Sequence, residues 1–135
     1  VQKQAEIMAA SEKLLKALES ATRYLEDSLS ALSRDDKAFA DSVWHVAAEL
    51  EYALFLFSLM FKGEVDASKW KPNPEAKKLG ANEVLATVGK LLGESKKALV
   101  GNDLMDAYKC TYMARHHVFR IQEDFARKKR EASKK

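Results

Sequence analysis

Apolar residues recur at helical spacing in four stretches separated by short polar breaks. In the first, Ile7, Ser11, Leu14, Leu18, Ala21, Leu25, Ser28 and Leu32 form a heptad-like stripe, widened on one side by Met8, Leu15, Thr22 and Leu29. That pattern predicts a core-facing helix of about eight turns. Ser33-Arg34-Asp35-Asp36 interrupts it and places an Asp where it can accept the first backbone N–H groups of a second helix. The second helix runs from about Asp36 to Phe61, with Phe39, Val43, Val46, Leu50, Leu54, Phe57 and Phe61 on one face.

Residues 62–80 form the one long connection. At its centre Trp70-Lys71-Pro72-Asn73-Pro74 must leave the helix, because proline lacks an N–H and restricts the residue before it. A third helix starts either at Pro74, with Asn73 as its cap, or after Gly80. Its periodic part is Val84, Val88, Leu91, Ser95 and Ala98, flanked by Leu85, Leu92 and Leu99. Gly101-Asn102-Asp103 joins a C-terminal glycine to a new N-cap. The fourth helix carries Leu104, Ala107, Thr111, Ala114, Val118, Ile121 and Phe125, and is expected to fray near residue 126 into a basic tail, 127–135.

The predicted architecture is one all-α domain over residues 1–135: an antiparallel four-helix bundle of two similar hairpins, about 2–61 and 81–126, joined by a long crossover. An offset of 67 residues aligns Leu18 with Leu85, Leu25 with Leu92, Ser28 with Ser95, Asp36 with Asp103 and Ala40 with Ala107. Duplication of one hairpin would produce this alignment, and so would hairpin physics shared by two unrelated segments.

Composition agrees with a folded helical domain. The 135 residues hold 47% apolar and 32% charged side chains, outside the ranges of disordered chains, and only five Gly and two Pro. Cys110 is the sole cysteine, so no intramolecular disulfide is available, and a reducing, cytoplasmic setting is expected. Val1 to Leu18 is amphipathic rather than continuously apolar, unlike a signal peptide. The most apolar run, Tyr52 to Phe61, is ten residues, too short for a bilayer, and no membrane association is expected.

Tyr24-Leu25-Glu26-Asp27-Ser28, followed by Asp35-Asp36, Ala40, Ala47-Ala48 and Tyr52-Ala53, resembles a small archaeal helical-hairpin family of unknown function. That family carries a tyrosine–acid pair, a Gly-Asp turn and small residues along its second helix. Asp35 stands here where the family has Gly, and the match covers about residues 21–58. It is also similar to the HEPN-like bundles, which include nucleases and nucleotide-binding proteins. The resemblance implies the fold and leaves function open.

Catalytic patterns are missing. Ribonucleases of the HEPN type use Arg followed four to six residues later by His. Here His45 comes eleven residues after Arg34, and His116-His117 directly follow Arg115. No Glu has a His three residues later, the ligand spacing of di-iron bundles. Asp41, His45 and Glu49 share a ridge that could offer an O/N/O set to a divalent metal, yet acids flanking a surface histidine are common. Cys110 has no histidine three or four positions away and reads as a buried, inert thiol. The expectation is no enzyme activity, no cofactor, no metal and no small-molecule substrate.

Two surfaces suggest binding. With Val43 at the origin of a helical wheel, Trp44, Phe55, Leu59 and Tyr52 cluster between about 100° and 180°, away from the core stripe. Either residues 62–80, with Trp70, fold over this second face, or it is an interface with a protein partner, a second copy foremost. The other surface is basic. Residues 1–66 carry seven Lys/Arg against twelve Asp/Glu, and residues 67–135 sixteen against eight. Arg115, His116, Arg120, Arg127, Lys128, Lys129 and Arg130 lie beside Tyr108, Tyr112 and Phe119, a mixture that could engage the phosphates and bases of RNA or DNA. The competing reading is a solvated helix end whose cations favour the C-terminal dipole.

Overall fold

The computed structural model describes residues 2–72 and 79–134. Four helices account for most of them: α1 (Gln2–Ala31), α2 (Asp36–Met60), α3 (Ala81–Val100) and α4 (Leu104–Ser133). No strand occurs among the described residues. A short 3-10 turn, Ala67–Lys69, is capped by Asp66, whose carboxylate accepts from the Ser68 backbone and hydroxyl.

Helix α1 packs against α2 and α3, and α4 packs against the same two, giving a square bundle. Tyr24 stacks on His45, Leu25 lies against Gly89, and Lys96 reaches Thr22, so both neighbours of α1 run opposite to it. Phe57 stacks on Tyr108 at one end, and Phe39 meets Phe125 at the other, so α2 and α4 are also antiparallel. The order is up, down, down, up. The end of α2 and the start of α3 therefore lie at opposite ends of the bundle.

The core is one continuous cluster drawn from all four helices. Leu14, Leu18, Leu50, Phe57, Leu85, Leu92, Val88 and Val118 are essentially sealed from solvent. Burying each such aliphatic or aromatic side chain stabilises the fold by roughly 1.5–3 kcal/mol before entropy is counted. Hydroxyl groups inside are satisfied. The Ser28 hydroxyl donates to the Tyr24 carbonyl, and Thr111 donates to the Ala107 carbonyl. Ser95 sits 2.8 Å from the Thr111 hydroxyl and 3.0 Å from the Ala107 carbonyl, tying α3 to α4 through a small buried network. Met8 and Leu29, expected to widen the stripe of α1, are exposed instead.

The helix ends follow the predicted chemistry with two corrections. Asp35 accepts from the Lys37 and Ala38 N–H groups at 3.1 Å, and Asp103 from Asp106 at the same distance. After α3, however, the left-handed residue is Asn102 at φ 65°, whereas Gly101 stays at φ −78°. The Asp103 N–H bonds back to the Ala98 carbonyl and the Asn102 N–H to Leu99, a Schellman closure centred on Asn102. Second, α4 does not fray at residue 126 but stays helical to Ser133. Helix α3 begins at Ala81; a helix beginning at Pro74 would lie in residues outside those described.

The repeat is real in burial but not at a single offset. Leu18, Ala21, Leu25 and Ser28 of α1 and Leu85, Val88, Leu92 and Ser95 of α3 are buried at the offset of 67. The second helices instead align Phe39 with Ala107, Val43 with Thr111, Val46 with Ala114 and Leu50 with Val118. The N-cap partner of Asp103 is likewise Asp35, not Asp36. Ser95 to Asp103 is one residue longer than Ser28 to Asp35, because α3 runs further before its shorter turn, and this shifts every later pairing by one.

Glycines inside α3 offer a direct check on helix energetics. A methyl group at Gly93 would meet nothing, whereas one at Gly89 would lie 3.4 Å from Leu25 Cδ2. Gly93→Ala is expected to raise the urea unfolding free energy by about 0.5–1 kcal/mol, and Gly89→Ala by less. Equal gains at both positions would mean that α1 and α3 are less closely packed there.

Candidate protein interface on the second helix

Helix α2 is apolar on two sides because two separate sets of residues occupy them. Phe39, Val43, Val46, Leu50, Ala53, Leu56 and Phe57 are buried. On the outer side Trp44 is 61% exposed, Phe55 59%, Leu59 59% and Tyr52 44%. At 100° per residue these four, together with Ala48, fall within about 80° of arc and span about 22 Å along the axis. They form one strip. Tyr52 also borders a shallow groove against α1, beside Lys16, Ser20 and Glu49.

The described part of the crossover does not cover this strip. Trp70 stands edge-on to Tyr108 at 5.0 Å and to Tyr112 at 5.7 Å, while Phe61 stacks on Tyr108. This aromatic cluster fixes the start of the connection against α4. Trp44 has instead an edge contact with His45, 5.2 Å between centroids, and otherwise faces outward. Taken over more than the ten-residue run, α2 is the one described helix long and apolar enough to cross a membrane by composition. In the bundle, part of that apolar character is spent on the core and part forms the strip.

The basic strip is broken up. Arg115 pairs with Glu51 across the α2–α4 boundary, and Arg127 pairs with Asp124 at 3.2 Å. His116 packs edge-on to Tyr112, and its Nε2 is buried without a protein partner. Burial, then Arg115 and Lys71, lower its pKa. Lys128, Lys129 and Arg130 are exposed, Arg120 is partly so, and Phe119 is half exposed. The stacking candidates Tyr108 and Tyr112 are engaged with Trp70.

His45, centre of the Asp41–His45–Glu49 ridge, lies flat against Tyr24 with centroids 4.6 Å apart. Among the described residues no group of three or more His, Cys, Asp or Glu is placed to hold a metal ion. Burial, with Asp106 and Glu94 nearby, pushes the Cys110 thiol up to about 11. His117 is buried, its Nδ1 has no protein partner, and burial followed by Arg120 and His116 lowers its pKa.

One feature gave no sequence signal. At the end of the bundle where α2 and α3 begin and α4 finishes, a cleft of about 760 Å³ is floored by Phe39, Val84, Ile121 and Phe125. Its rim sets Lys37, Lys128 and Lys129 against Asp36, Asp41 and Asp124. These charges cancel, so the rim selects neither anions nor cations. No family model matches the chain, and neither does any curated protein or solved structure.

Two titrations follow. With its pKa raised, the Cys110 thiol is almost wholly protonated at neutral pH, so a thiol reagent should react slowly with the native protein and promptly once it is unfolded. Rapid native reaction would mean an accessible thiolate. A histidine depressed in the folded state binds its proton first in the unfolded chain, so stability falls as pH drops below about 6.5. The urea midpoint should decrease between about pH 7 and 5, and His117→Gln should flatten that decrease.

Proposed function

We propose that this chain is a non-catalytic helical bundle that acts by protein–protein association, with a second copy of itself as the partner. The observation that supports this reading is the uncovered strip Trp44, Tyr52, Phe55 and Leu59. Its aromatic and aliphatic side chains, each about half exposed, leave on the order of 500 Å² of apolar surface in one patch. The largest apolar patch on a protein of this kind is often a functional one. Trp and Tyr are also the residues most enriched where partners bury their anchors. With flanking residues, the strip approaches the roughly 800 Å² per partner of a stable interface.

Binding of RNA or DNA by α4 is the weaker alternative. Two of its arginines already have carboxylate partners, and two of its aromatic rings are held by Trp70. The exposed cations at the end of α4 favour a non-specific, salt-sensitive attraction. The same reading includes a reducing, cytoplasmic setting, where the lone buried thiol stays reduced.

Analytical ultracentrifugation tests the association. The wild type should sediment at twice the 15.2 kDa chain mass, and Phe55→Glu should return it to the single-chain mass with its helical circular dichroism intact. A wild type that stays at the single-chain mass at about 100 μM would refute self-association.

A further inference from the structure

The two hairpins are alike, yet the ring of Tyr108 has no counterpart on α2. The alignment that sets Leu50 with Val118 also sets Phe57 with Phe125 and Ala40 with Tyr108. Because α2 and α4 run antiparallel, and α1 and α3 likewise, a rotation that exchanges the hairpins also exchanges the ends of the bundle. Contacts where α2 finishes and α4 begins therefore have equivalents where α2 begins and α4 finishes. We infer that the cleft at this second end binds an uncharged molecule of fused, planar aromatic rings, in the place that Tyr108 holds at the first.

At the first end Tyr108 stacks on Phe57, with ring centroids 5.1 Å apart and planes within 5°, and on Phe61 at 5.7 Å. Trp70 meets the stack edge-on at 5.0 Å, and Phe57 is sealed from solvent. At the second end Phe125 takes the place of Phe57, Ala40 that of Tyr108 and Lys129 that of Phe61, and all three line the cleft. A methyl group stands where the first end has a phenol ring, and Phe125 is only partly buried. Among the described residues, Phe39 and Phe125 are the rings that border the cleft, and they meet at a tilt of 48° rather than in a stack. Phe125 thus lacks the stacked ring that covers its counterpart.

Size, floor and rim narrow what can sit there. At about 760 Å³ the cleft lies in the roughly 300–1,000 Å³ range of small-molecule sites and exceeds the space of one phenol ring. Val84 and Ile121 continue the apolar floor beside the two rings, which favours a flat hydrocarbon face. The lysines and aspartates of the rim cancel, so a ligand with net charge gains nothing from them and loses its hydration. They still offer donors and acceptors to a hydroxyl or carbonyl substituent at the ring edge. The site is independent of self-association, because none of Trp44, Tyr52, Phe55 and Leu59 lines the cleft.

Prodan, an uncharged and planar naphthalene dye whose emission moves to the blue in apolar surroundings, serves as the probe. It should bind saturably, one per chain, with a Kd on the order of 10–100 μM. β-Naphthol should displace it at a several-fold lower concentration than decahydro-β-naphthol, which has the same skeleton without aromatic faces. Ala40→Tyr supplies the ring that the other end already has, and should weaken binding by at least about tenfold. Phe125→Leu keeps an apolar floor but removes the stacking surface, and should weaken binding by roughly three- to tenfold. Circular dichroism checks that each variant folds, and Phe125→Leu decides if Ala40→Tyr does not. No saturable binding, equal displacement by the two competitors, or unweakened binding in either folded variant would overturn the aromatic site. None of these outcomes bears on the sedimentation test of self-association.

Discussion

Trp70 meets Tyr108 and Tyr112 edge to face, and that contact governs which flank of the bundle the crossover occupies as it leaves α2. The up-down-down-up order sets the end of α2 and the start of α3 at opposite ends of the bundle. With Phe61 stacked on the same tyrosine, the start of the connection is committed to α4 as soon as α2 ends. Edge-to-face aromatic pairs contribute roughly 0.5–1.5 kcal/mol each beyond their buried area, enough to fix a path that no hydrogen-bond ladder directs. Two features of the surface follow from that choice. Tyr108 and Tyr112 are removed from the basic strip, and the outer face of α2 is left uncovered.

The four helices were legible because each depends on local spacing, and so were the two aspartate caps. Where reading failed, the signal was local but ambiguous. Gly101 and Asn102 both tolerate a left-handed backbone, and only the hydrogen bond from Asp103 back to Ala98 shows that Asn102 takes it. The extension of α4 past Phe125 was missed because apolar periodicity stops there. Arg, Lys, Glu and Ala remain good helix formers, and nothing breaks the run before Ser133. Alignment at one offset hides the extra residue between Ser95 and Asp103, since small residues such as Ala40 and Ala107 match by identity while Phe39 and Ala107 match by position.

The candidate interface was half legible. A helical wheel separates Trp44, Tyr52, Phe55 and Leu59 from the core stripe of α2, but it cannot say whether another segment covers them. That depended on Trp70 finding its place on α4, a contact between residues distant in sequence. The basic strip shows the same limit from the other side. Arg115 looks free along the chain, and its partner Glu51 lies on a different helix. Periodicity assigns a face to a side chain; the neighbour across the gap is a property of the assembled bundle.

A helix with two apolar faces poses a folding problem as well as an opportunity. During folding, α2 could turn either face toward the core, and the exposed set includes two of its largest rings. Native orientation is favoured by fit: Phe39 and Phe57 meet Phe125 and Tyr108 of α4 toward the two ends, and the smaller Val43, Val46, Leu50 and Ala53 fill the middle. Trp44, Tyr52, Phe55 and Leu59 are thereby presented outward at fixed spacing on a rigid element. A second copy always arrives with the same unmet surface, and a two-fold axis lets one arrangement of residues satisfy both chains at once. The apolar face that the monomer core leaves uncovered is what an interface can bury.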